Sequence, residues 1–296
     1  MSGPNNMSVR APAVAGRFYP ADAMVCRTEA QAYLHAPGNA AQTEHWLGGI
    51  VPHAGWVCSG AVAGQTMAAI AATTPADVVV VFGAIHTPIP FDRAALDANA
   101  RWWAPFGESQ LPQGLQAKLV EASSLFVVEP RLHVHEHAIE VEVPLIQLAW
   151  PGATVLPIEV ASTAEACAIG QQTAHHIAQA NLRAVYLASS DLTHYGPAYR
   201  FTPAGVGRRS LAWAMDNDRR LLRLVTSMSI DQIVPEAMSR QNACGAGAIA
   251  AMLSACREMG ATGATVLRHT NSFETLAHVQ PQTADNAVGY AAVVVR

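Results

Sequence analysis

The sequence predicts an α/β fold: one domain, residues 1–296, on a mainly parallel central sheet flanked by helices. Three observations lead there. GGIVP, VVVVFG and AVYLASS are short, continuous apolar runs, the pattern of strands buried on both faces. Helix-length segments alternate with them, as parallel connections require. Each run also ends in a histidine-bearing loop: VPHAGW with His53, FGAIHTP with His86 and SSDLTHYG with His194. Open parallel sheets bind ligands outside the carboxyl ends of their strands, so three strands are expected to deliver imidazoles to one edge.

Taken in order, the chain opens irregularly as far as Pro20, and a helix follows over Ala21–Leu34 with Asp22 near its start. His35–Glu44 reads as a polar loop. A strand from Gly48 leads to a helix over Ser59–Ala72, whose small residues allow close packing on a sheet. Asp77–Gly83 is a strand whose valine run implies burial on both faces, and Pro88 and Pro90 then break regular structure. Arg101–Gln110 reads as strand or loop, and Gln113–Ser123 as a helix. Glu136–Trp150 is expected to be helical, with Pro144 kinking it or marking a boundary. A strand at Ala153–Val160, a helix at Thr163–Ala180 and a strand at Arg183–Ser189 follow. Helices are expected over Ala204–Met228, Ile230–Ser239 and Cys244–Gly260. Strands at Ala264–His269 and Val288–Val295 finish the sheet, with antiparallel pairing at its edges. No internal repeat, low-complexity tract or linker interrupts the pattern.

Composition narrows the function classes. Hydrophobic residues make up 51% and charged residues 14%, which suits a well-buried α/β protein and excludes a disordered one. A net charge of −4 without a Lys/Arg run argues against a nucleic-acid-binding surface. No apolar stretch has the length of a membrane span, and the opening residues lack the order of a signal peptide, so a cytoplasmic location is expected. The five cysteines (Cys26, Cys58, Cys167, Cys244, Cys256) form no CxxC pair, which fits neither a disulfide framework nor a zinc knuckle.

Several residues carry candidate chemistry. His53 in PHAGW and His86 after the most apolar strand are candidate metal ligands; the plainer reading is that each caps a strand end by bonding to backbone. Asp191, three residues before His194, is placed to orient that imidazole or accept its ring proton; the plainer reading is an Asx turn. In HVHEHAIEVEVP, His133 and His135 read as solvated, whereas His137 and Glu140 enter an apolar segment and are better site candidates. The stretch is not HExxH, so a zincin reading fails. Cys244 falls at or near a helix N-terminus, where the dipole favours thiolate, a soft metal ligand. The following CGAG lacks the lysine and spacing of a P-loop.

Read together, AVAGRFYP, IVPHAGWVCSG, VFGAIHTP, HEHAIEVEVPLIQ, LPIEVA, SSDLTHYG, ACGAGAI and the closing VGYAAVVV resemble the Memo family, whose bacterial branch is called AmmeMemoRadiSam system protein B. The motifs run nearly end to end, and their order and spacing make the match specific. The resemblance implies a fold like that of the class III extradiol dioxygenases, the LigB-type enzymes. It implies metal binding by His53, His86 and Cys244, with Fe(II) first, copper second and zinc third. It places His194, with Asp191, in the position of the acid/base histidine, and His137 on the same pocket. The chain departs from the family in CGAGAI, where animal members carry a CGRHPI-like run, and in Val57-Cys58-Ser59, where others carry a tyrosine-rich run.

Three functions follow as expectations: a non-haem iron, dioxygenase-like oxidoreductase acting on a small molecule; a non-catalytic metal carrier; or a peptide-binding module. The family name further implies AMMECR1-like and radical SAM proteins as partners.

Overall fold

The computed structural model describes residues 8–35, 44–88, 90–277, 279 and 283–296. The expected polar loop falls mostly outside them, as do the first seven residues of the irregular opening. The chain runs through β1 (Val9–Arg10), α1 (Ala23–Leu34), β2 (Gly48–Val51), α2 (Trp56–Ala71), β3 (Val78–Ala84) and β4 (Ala94–Leu96). A hairpin of β5 (Arg101–Ala104) and β6 (Gly107–Gln110) precedes α3 (Gln113–Ala122), β7 (Phe126–Val128), α4 (Val143–Ala149) and β8 (Thr154–Val160). Then come α5 (Ala166–Gln179), β9 (Ala184–Ser189), β10 (His194–Tyr195), α6 (Arg208–Thr226), α7 (Ile233–Arg240) and α8 (Ala246–Glu258). β11 (Ala264–Asn271), α9 (Ser272–Thr275) and β12 (Ala287–Val295) close the fold.

The expected mixed α/β architecture is present. β2, β9, β3 and β8 lie side by side and parallel, and every residue of β2 and β3 is buried. β12 pairs antiparallel with β2 on one flank and itself carries β11 and β10. On the other flank β4 pairs antiparallel with β8 and parallel with β7. A small second sheet joins β1 to the hairpin.

The period-2 alternation of strand side chains divides the core in two. Val78, Val80 and Phe82 of β3 face α3, α5 and α8, whereas Val79 and Val81 face α1, α2 and α4. Gly170 makes the α5–α8 contact close: a Cβ there would collide with the main chain of Ala251.

Several boundaries differ from the sequence reading. α2 starts at Trp56, three residues early, and α6 at Arg208, four late. Residues 136 and 137 are irregular and 138 and 139 form a turn rather than helix, followed by a 3₁₀ turn at Glu140–Glu142. Pro144 marks a boundary, one of its two expected roles, and does not kink the helix: it lies in the first turn of α4, where its missing N–H has no intrahelical acceptor to lose. β1, β4, β7 and β10 were not expected, being two or three residues long and too short to show periodicity.

Candidate metal centre

The order β2–β9–β3 sets three carboxyl ends next to one another. His53 lies two residues beyond Val51, Asp191 two beyond Ser189 and His86 two beyond Ala84, so each falls at the same height above its strand. Cys244 arrives from the opposite side, two residues ahead of α8. Its N–H donates to the Asp191 carbonyl (3.2 Å), and the Gly245 N–H donates to Ser190 Oγ (2.9 Å). The thiol-bearing loop is thereby fixed to the end of β9.

The ligand atoms of His53, His86 and Cys244 lie within 4.8 Å of one another, with Cys244 Sγ 3.3 Å from His53 Nε2. Two ligands on one tetrahedral metal, at zinc-like N and S bond lengths, are separated by about 3.6 Å. The donor atoms therefore fit a single ion.

The hydrogen bonds also orient the rings. The Ser189 hydroxyl donates its one hydrogen to the Ala138 carbonyl (2.5 Å), so toward His53 Nδ1 (2.9 Å) it accepts. His53 is then the Nδ1–H tautomer, and its Nε2 lone pair faces the thiol. The ring is 1% exposed; burial, followed by the neighbouring imidazoles of His86, His137 and His194, holds its pKa well below the ordinary value.

His86 is oriented by Glu136. Its Nδ1–H donates to Oε1 (2.8 Å) and its main-chain N–H to Oε2 (2.7 Å). Oε1 also accepts the N–H groups of His137 (2.9 Å) and Ala138 (3.1 Å). Burial pushes the Glu136 pKa up, but His86 and the main-chain donors outweigh it and hold the carboxyl at about 2. Burial pulls His86 down, yet its bonds to Cys244 and Glu136 raise it to about 10. A carboxylate behind a metal-binding imidazole is the usual arrangement for fixing ring and tautomer. Glu136 also forms a second cluster with His86 and His137, but its oxygens are already occupied by four donors.

His137 stacks on His86 (ring centroids 4.6 Å, 27°) and meets His53 edge-on at 5.3 Å. Burial, then the charge of His86, lowers its pKa to about 4. His194 Nδ1 lies 3.1 Å from the Leu192 carbonyl, which only accepts, so Nδ1 carries the proton and Nε2 the lone pair. Burial lowers the His194 pKa and raises that of Asp191 to about 7. His137, Asp191 and His194 line a pocket of about 400 Å³ together with Phe18, Cys58, Tyr199 and Tyr290.

The family of Memo-like proteins matches residues 10–294 of this chain. The chain belongs to the Memo family. A MEMO1 family protein of Methanococcoides burtonii is 31% identical over 97% of this chain and the whole of its own length. One from Methanosarcina mazei is 32% identical over 98% of this chain, again across its full length. Among solved structures, an uncharacterized protein from Escherichia coli K12 is similar at 13% identity and a TM-score of 0.45, over 73% of this chain and 86% of that one.

In this Memo-family chain the six expected site residues converge, but two expected relationships do not hold. Asp191 does not orient His194. Its carboxylate accepts the main-chain N–H of His53 (2.9 Å), while His194 bonds to Leu192. Glu140 does not line the site: it binds Arg10 (2.8 Å), the N–H groups of Ala13 and Val14, and the Tyr19 hydroxyl. Because 136–139 is not a helix, Glu136 rather than Glu140 reaches the histidines. His133 is buried, not solvated, and donates from Nε2 to the Ala95 carbonyl (3.1 Å); His135 is exposed as expected. Sequence reasoning missed the roles of Glu136 and Ser189. Glu136 adjoins His137 in HEHAIE, but nothing in the spacing links it to a histidine fifty residues earlier.

Proposed function

We propose that this protein binds one redox-active metal ion through His53, His86 and Cys244, Fe(II) first and copper second, and uses it on a small molecule held in the adjoining pocket. The observation that carries the reading is the convergence of two imidazoles and a cysteine sulfur, with the rings oriented by Ser189 and Glu136. When bound, such an ion supplies Lewis acidity and electron transfer at positions the three ligands leave open.

The chain's own groups do the rest. His194 Nε2, unprotonated and on the pocket wall, takes the proton from a substrate hydroxyl. The rings of Phe18, Tyr199 and Tyr290 hold a planar molecule and exclude water. No lysine or arginine lines this pocket among the described residues, and Asp191 does, which disfavours phosphorylated substrates. All five cysteines are free, which suits a reducing, cytoplasmic compartment.

A second reading is a metal carrier that hands its ion to a partner, AMMECR1-like or radical SAM proteins being the candidates. The 35% exposure of the His86 side chain favours it, because a transferable ion needs an open flank.

Anaerobic purification without a metal-binding tag, followed by elemental analysis, tests the site. Near-stoichiometric iron or copper, lost in His53→Ala and Cys244→Ser, is the expected result. Protein that stays metal-free after addition of Fe(II) or Cu(I) overturns it. Oxygen uptake with catechols then separates the enzyme from the carrier.

A further inference from the structure

The turn that carries His194 is clamped by a buried acidic residue outside the candidate metal centre. Asp218 of α6 accepts the Thr193 N–H at Oδ1 (2.9 Å) and meets His269 Nε2 of β11 at Oδ2 (3.0 Å). The neighbouring Asn217 donates from Nδ2 to Thr193 Oγ1 (3.1 Å). From β12, Gly289 N–H donates to the Thr193 carbonyl (3.0 Å) and Gly289 O accepts from Leu192 N–H (2.8 Å). A Cβ at Gly289 would collide with the Asp218 carboxylate, so glycine is what lets the acid reach the turn.

One peptide group joins this clamp to the site. The unit between Leu192 and Thr193 is planar and trans, so its N–H and C=O point in opposite directions. The N–H ends on Asp218, and the C=O receives the Nδ1–H of His194. Rotating the peptide to release either bond loosens the other. Burying a carboxylate is costly unless it is paired, and His269 supplies the pairing on the oxygen that Thr193 does not use.

We propose that Asp218, braced by His269, is a positioning residue that fixes the Leu192–Thr193 peptide and so keeps His194 as the Nδ1–H tautomer with its Nε2 lone pair on the pocket. The proposal rests on the reading of His194 as the pocket base. Without the clamp the peptide tilts, the Leu192 carbonyl no longer selects Nδ1, and the proton redistributes between the two ring nitrogens.

The test is ¹⁵N spectroscopy of the full chain labelled at histidine, above the titration of His194, with its resonances assigned by their disappearance in His194→Gln. Native protein is expected to show one protonated-type Nδ1 and one unprotonated-type Nε2. Asp218→Ala should collapse both toward averaged values. Asp218→Asn, which keeps an acceptor for Thr193 N–H, should retain the native pattern. An unchanged pattern in Asp218→Ala overturns the proposal, as does an averaged one in Asp218→Asn. If Asp218→Ala does not fold, as judged by circular dichroism, His269→Ala serves: partial averaging supports the proposal and a native pattern overturns it. Metal content and turnover do not enter this readout, so failure of the metal-site reading is recognised separately.

Discussion

At the scale of single residues, what distinguishes this site is the control of ring protons. Three imidazoles each have Nδ1 committed to an acceptor, Ser189 for His53, Glu136 for His86 and Leu192 for His194. Each Nε2 is left for a metal or a substrate proton. Ser189→Ala removes the acceptor for His53 without touching a ligand. Metal affinity measured by competition with a chelator is expected to fall about 10–100-fold, the usual effect of losing such a partner. Glu142 makes a different test. Both of its carboxyl oxygens are buried without a partner among the described residues, and burial, then the nearby Asp191, raises its pKa well above the ordinary value. The folded protein therefore holds a proton that the unfolded chain releases above its ordinary carboxylate pKa, so this residue costs stability increasingly as pH rises through that range. Thermal melts of Glu142→Gln should show a gain of several degrees at about pH 8 that vanishes near about pH 4. A gain independent of pH would contradict the protonated state.

At the scale of elements, the N-terminal segment is held to the stretch from His133 to Glu140 by the Arg10–Glu140 ion pair and the hydrogen bonds around it. Arg10 donates to Glu140, to the His133 carbonyl and to the Glu136 carbonyl, and its guanidinium lies 4.2 Å over the Trp102 ring. Glu140 in return binds the stretch from Ala13 to Tyr19. Removing one member of a buried pair leaves the other uncompensated, so Glu140→Ala should cost about 3–5 kcal/mol in denaturant unfolding. Hydrogen exchange should rise first over residues 10–19. The α5–α8 packing has its own sensitive point at Gly170. Gly170→Ala should destabilise by about 1–3 kcal/mol, because the helices must separate to admit the methyl group. An unchanged unfolding midpoint would show that the contact yields.

At the scale of the whole molecule, a metal held as proposed would tie together the ends of β2 and β3 and the start of α8, so loading it should stabilise the native state. Ion at a hundredfold excess over its dissociation constant contributes about 2.7 kcal/mol. A rise in melting temperature is expected on adding Fe(II) anaerobically to metal-free protein, and none with Cys244→Ser. Equal rises in both would place the ion elsewhere.

Much of this was legible in the sequence, because some signals are local. Continuous apolar runs such as VVVVF state that both faces of a strand are covered, and a histidine in the loop just past such a run lies at the carboxyl edge of the sheet, the side where ligands bind. The family motifs named the same residues. Tertiary structure alone decided the partnerships: Glu136 with His86, Ser189 with His53, Asp218 with the His194 turn, Asp191 with His53 and not His194. Each joins segments dozens of residues apart, and the choice between Glu136 and Glu140 hung on whether four residues made a turn or a helix. Periodicity reports which face of an element is buried. It does not carry the distances, of a few ångströms, that settle which donor meets which acceptor.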